Sequence, residues 1–204
     1  MSKSASLPRQ GSQVLVPEFR FDAEKHQYWL GDEELPSVSS ILVDAGLAPK
    51  FSYRNHKIDY ARDLGTYVHA ACALWDRLEL DEDVLDPAIV PYLAGWRAFC
   101  HKNACRWRLI EDADHHATLG YAGTVDRCGQ VGLETFVVEI KTGQPAEWHG
   151  IQLSAYLPLT GETDAGLMAV YLHADGTYDR VIYPNRFDVF EAALTIARWK
   201  KEVK

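Results

Sequence analysis

VVEIKTG, residues 137–143, sets Glu139 and Lys141 into an otherwise apolar strand pattern. Alternate residues of a strand share a face. Glu139 and Lys141 therefore project together, while Val138 and Ile140 point the other way, into a core. A half-buried strand with a solvated ion pair explains a lone Glu-x-Lys triplet. A chemical reading needs partners from elsewhere in the chain.

Asp126, in GYAGTVDRCG, supplies one. If 120–128 and 134–141 are neighbouring antiparallel strands, Asp126 and Glu139 reach one edge of a sheet. Two carboxylates and a lysine converging there make an oxygen-rich site suited to Mg²⁺ or Mn²⁺. His69, in LGTYVHAACALW, falls on a helix whose neighbours Cys72 and Ala73 are small, which leaves room for a metal or a strand of nucleic acid. A satisfied structural histidine is the alternative. Gln152 and Tyr156, in GIQLSAY, are four apart on a helix that follows the Glu-x-Lys strand, so they share a face that can look onto the carboxylates. A solvent-facing polar helix surface is the alternative there. Glu111, in RLIEDAD, is either near this site or a strand-end surface charge.

The 204 residues suffice for a sizeable core, and we expect a single domain over 18–204 behind a flexible arm over 1–17. The chain is 47% hydrophobic and 25% charged, with no apolar run of membrane-spanning length. MSKSASLPRQGSQ lacks the apolar region of a secretory signal, so the cytoplasm is the expected location. Cys72, Cys100, Cys105 and Cys128 contain no C-x-x-C pair and are expected to be free thiols. A zinc site from Cys100, Cys105, His115 and His116 is the competing use of two of them. A net charge of −8 argues against a broad basic nucleic-acid surface but not against an acidic site that meets phosphate through metal ions.

FRFD (19–22) and HQYWL (26–30) form an expected hairpin, followed by a helix capped by Ser37 and stopped by Gly46. Helix is expected over 53–79, in two pieces breaking near Gly65, with Val68, Cys72, Trp75 and Leu78 as its apolar stripe. Asp86-Pro87 predicts another helix start, running to His101. Strands follow at 105–112, 120–128 and 134–141, the last two turning around Gly129 to Gly132. A helix over 146–158, strands 166–173 and 177–183 and a last helix from Phe187 complete an α/β (α+β) order.

GTYVH, YAGTVD, VVEIKTG and QLSAY, in that order over 66–156, resemble the PD-(D/E)XK nuclease superfamily, in its RecB-like and phage exonuclease branch. LPSVSSIL (35–42) is similar to the entry segment of phage-encoded and mitochondrial genome maintenance exonucleases, a branch that also has lambda exonuclease relatives. The resemblance implies a restriction-endonuclease-like core: a central mixed β-sheet flanked by helices. It also implies a metal-dependent DNA nuclease, an exonuclease acting at single- or double-stranded DNA ends in recombination, repair or replication. A structure-specific endonuclease, or a catalytically silent DNA- or protein-binding module, is the alternative on the same fold. By the same resemblance His69, Asp126, Glu139 and the Ile140 carbonyl are metal ligands for Mg²⁺ or Mn²⁺. Lys141 serves the attacking water or the phosphate, and Gln152 and Tyr156 support the site and touch the DNA backbone. Relatives with an iron–sulfur cluster need cysteines before 72 and after 128, so no cluster is expected. The implied partners are DNA and a recombination protein or further copies of the chain, in a bacterial host cell if the gene is a phage's. Tyr53, Tyr67 and Trp148 are candidates for stacking on unpaired bases, and Arg54, Lys57 and Arg62 for a phosphate track.

Overall fold

The computed structural model describes residues 17–50 and 56–203, with side chains from 60 onward in the second stretch. An N-terminal antiparallel sheet is built from β1 (Phe19–Asp22), β2 (Gln27–Leu30) and β3 (Glu33–Leu35). Helix α1 (Val38–Ala45) starts where the Ser37 hydroxyl accepts the Ser40 N–H at 3.0 Å, and it ends at Gly46, whose φ of 86° is left-handed.

Helix α2 (His56–Asp76) runs without interruption through Gly65, contrary to the expected break. A Cβ at Gly65 would meet Thr142 Oγ1 at 3.5 Å, an ordinary contact. The glycine therefore marks where α2 passes a neighbouring segment rather than a break. Leu78 also differs from its expected place in the core stripe. It lies past the helix end at φ 62° and is 93% exposed, while Val68 and Cys72 are fully buried. Helix α3 spans Val90–Lys102, not 86–101. Asp86 caps a turn instead, accepting the Ala88 N–H at 2.8 Å, and Pro91 is the proline of the helix's first turn.

The main sheet comprises β4 (Arg106–His116), β5 (Tyr121–Val131), β6 (Glu134–Lys141), β7 (Gly166–Leu172) and β8 (Tyr178–Tyr183), in that spatial order. Neighbours are antiparallel except β6 and β7, which run parallel because α4 (Glu147–Tyr156) crosses between them. Strand β5 continues through Gly129, which had been expected in the turn. A Cβ there would lie 2.8 Å from Trp107 Cα, so glycine is needed where β4 presses closest, beside its register shift at Trp107 to Leu109. The turn lies at Gly132, with φ 68°.

Helices cover both faces of this sheet. α1, α4 and α5 (Phe187–Glu202) pack on one face through Ile41, Leu153 and Phe190. α2 and α3 pack on the other through Val68, Leu93 and Trp96. This is the expected mixed sheet flanked by helices. Among the described residues no helix is long and apolar enough to cross a membrane.

Candidate active site

The β5–β6 ladder ends at Arg127↔Val138. Beyond that pair the strands part, and the Asp126 carboxylate, not a β5 carbonyl, accepts the Ile140 N–H at 2.7 Å. The parting opens the floor of a cleft of 1210 Å³, walled by α2 on one side and by Phe21 and His26 of the N-terminal hairpin on another.

On that floor lie the residues singled out in the sequence. Asp126 and Glu139 are 6% and 3% exposed. Lys141 Nζ donates to Glu139 Oε1 at 2.7 Å and to Gln152 Oε1 at 3.1 Å, and Gln152 Nε2 donates to the Tyr156 hydroxyl at 3.0 Å. His69 reaches in from α2, with Nε2 at 2.9 Å from the Ile140 carbonyl and Nδ1 at 3.5 Å from Asp126 and 3.6 Å from Glu111. The structure thus brings together His69, Asp126, Glu139, Ile140, Lys141, Gln152 and Tyr156. It also brings Glu111 in from β4. One donor atom each from His69, Glu111 and Asp126 lies within 4.8 Å of the others, an arrangement able to hold a metal ion.

The electrostatics follow from burial against pairing. Burial opposes ionisation of Asp126, but His69, Lys141 and the Ile140 N–H outweigh it and hold its carboxyl below the usual range. Burial likewise opposes a charge on His69, yet Asp126 and Glu111 keep the imidazole's pKa well above its ordinary value. Burial and then the charge of Asp126 push Glu139 up to about 7, against the pull of Lys141. Its Oε2 is buried with no hydrogen-bond partner among the described residues. Burial also keeps Tyr156 protonated, its pKa raised well above the ordinary value.

Other candidates are distributed differently. Trp148 lines the cleft, its ring 5.3 Å from Lys141 Nζ, and Arg62 lines it too. Tyr67 is exposed at 61%, outside the cleft walls. Tyr53, Arg54 and the Lys57 side chain lie outside the described residues. The zinc grouping does not form. The Cys100 and Cys105 thiols share a hydrogen bond at the end of α3, whereas the His115 ring stacks on Phe19 at 4.8 Å, toward the far end of β4. All four cysteines are free.

Sequence reasoning left Glu111 undecided and did not single out Asp76, Arg127 or His26. No spacing rule signals Glu111, because its place depends on a backbone φ of 46° inside a strand.

No family model matches the chain, and no curated protein matches it. Among solved structures, one similar chain is the crystal structure of LHK-Exo in complex with dAMP. The TM-score is 0.41 and the identity 16%, with 83% of this chain and 88% of that chain covered.

Proposed function

We propose that the chain is a metal-dependent DNA nuclease that hydrolyses phosphodiester bonds, acting as an exonuclease at DNA ends. The observation that carries the reading is Glu139. Its buried carboxylate has one oxygen on Lys141 and, among the described residues, no partner on the other, beside a second buried carboxylate; that half-satisfied group is costly unless a cation completes it. The donor set is hard: carboxylates of Asp126, Glu139 and Glu111, the Ile140 carbonyl and the His69 imidazole. It fits Mg²⁺ or Mn²⁺. When bound, such an ion neutralises phosphate charge and lowers the pKa of an attacking water.

The chain's own groups do the rest. Lys141 has three N–H donors, and two go to Glu139 and Gln152. The third is left for the attacking water or a non-bridging phosphate oxygen, whose charge it stabilises as the bond breaks. Gln152 fixes that ammonium. Its carbonyl faces Lys141 because its amide is engaged by Tyr156, which stays neutral. With an ion bound, His69 would serve as a ligand in its neutral form, without the proton that Asp126 and Glu111 favour on it. The site is pre-organised because its carboxylates sit on paired strands rather than loops.

The test is degradation of end-labelled linear DNA, single- and double-stranded, with Mg²⁺, Mn²⁺ or EDTA. Wild type is run beside Lys141→Ala and Asp126→Ala, and a closed circle reports internal cleavage. Loss of label that needs metal and is abolished in both variants, with the circle intact, is the expected result. A cut circle would reassign the chain as an endonuclease. No cleavage by folded wild type with either metal would leave a binding module on this fold.

A further inference from the structure

Glu111 occupies a conformation that a strand does not normally supply. Its φ of 46° is left-handed, a state that is unfavourable for a non-glycine residue and persists only where the surroundings impose it. The partner of its side chain lies under the cleft floor. The Arg127 side chain is fully buried; its Nη1 donates to Glu111 Oε1 at 3.0 Å and to the Asp126 carbonyl at 2.5 Å. Its Nε donates to Asp76 Oδ2 at 2.6 Å, and its guanidinium lies 5.5 Å from the centre of the Trp96 ring. Asp76 is held in turn by the indole N–H groups of Trp96 and Trp107, at 3.1 to 3.2 Å.

This cluster is costly for a purely structural device. Among the described residues Arg127 Nη2 is buried without a partner, and a buried ion pair is generally no more stabilising than apolar residues of the same volume. Its geometry has a specific outcome, however. Asp76 closes the same helix, α2, that delivers His69. Through Asp76 and Arg127 that helix also sets Glu111, so one rigid element places two of the three groups able to hold an ion.

We propose that Arg127, anchored by Asp76, is a positioning residue that holds Glu111 beside Asp126 and His69 as a third carboxylate of the divalent-ion site. The inference rests on the metal-dependent reading above, and its test reads metal binding directly. Mn²⁺ affinity of the full chain is measured by calorimetry for wild type, Arg127→Lys, Glu111→Gln and the double variant, with a melting curve for each. Lysine keeps the charge but loses the fork that spans Asp76 and Glu111.

The expected result is an affinity about tenfold weaker in Arg127→Lys and in Glu111→Gln, with no further loss when the two are combined. A purely structural role would lower the melting temperature and leave Mn²⁺ affinity at the wild-type value, which would overturn the proposal. Equal losses in both backgrounds would overturn it too. If Arg127→Lys does not fold, Arg127→Met with Asp76→Asn removes both charges together and runs through the same cycle. Wild type that binds no Mn²⁺ sinks the metal-dependent reading itself, a result separate from any difference between variants.

Discussion

Asp76 and Glu139 are both acids withdrawn from solvent next to the same sheet, with side chains 2% and 4% exposed. Under the sheet, each oxygen of Asp76 has partners: Trp96 and Trp107 on one, Trp96 and Arg127 on the other. Above it, Glu139 has Lys141 on one oxygen and nothing on the second. Burial raises both carboxyl pKa values, against those partners. The contrast separates a polar group that completes a structure from one that awaits a ligand. A buried charge whose partners all come from the chain contributes to one arrangement of the fold. A buried charge left half-satisfied lowers stability, and selection tolerates it where function needs it.

Neutralising each acid in turn separates the two roles. Glu139→Gln is expected to lower metal-dependent DNA cleavage by about 10³-fold, with a melting temperature no lower than wild type, because the amide brings no charge to bury. A large drop in melting temperature would show Glu139 to be structural after all. Asp76→Ala is expected to act chiefly on stability. It strands Arg127 in the interior and should cost about 3–5 kcal/mol in urea unfolding. A loss below about 1 kcal/mol would mean that the ion pair carries little of the fold.

A third test uses His149, a buried group on the cleft side. Its Nδ1 meets the Tyr171 hydroxyl at 2.8 Å, and that hydroxyl meets Tyr183 at 2.7 Å. Burial, helped by the charge of Lys141, lowers its pKa from 6.5 to about 4. The folded state thus holds the proton more weakly than the unfolded state. The resulting stability is fully present above pH 6.5 and is lost as pH falls toward 4, by roughly 3 kcal/mol. His149→Gln should flatten that part of the pH–stability curve, and an unchanged slope would locate the acid sensitivity elsewhere. The smallest effect expected is protection by metal. Mn²⁺ at a hundredfold its dissociation constant should add about 2.7 kcal/mol, roughly 5–10 °C in melting temperature. Glu139→Gln should lose much of that gain.

The half-satisfied centre was more legible in the sequence than the satisfied one. Glu139 and Lys141 share a face by the two-residue period of a strand, and Gln152 and Tyr156 share one by the helical turn. Each pair could be read without knowing what lay opposite. Ser37 and Gly46 announce the ends of α1 by the same kind of local chemistry. Asp76 and Arg127 are separated by 51 positions and have no pattern that links them. Glu111 looks like any charge in a strand until its φ is known. Gly65 and Leu78 misled for a related reason. Whether a glycine breaks a helix, or a leucine joins a core, depends on what packs there rather than on the residue itself.

Local periodicity and residue type were enough to set the alternation of elements, the strand that carries Glu139 and Lys141, and the acidic residues of the cleft floor. Tertiary structure alone decided that β5 and β6 part beside Asp126 and that α2 brings His69 across to Ile140. It also decided that a buried arginine turns Glu111 toward them. Those outcomes depend on contacts between segments distant in the chain, where packing and desolvation, not local propensity, set the geometry.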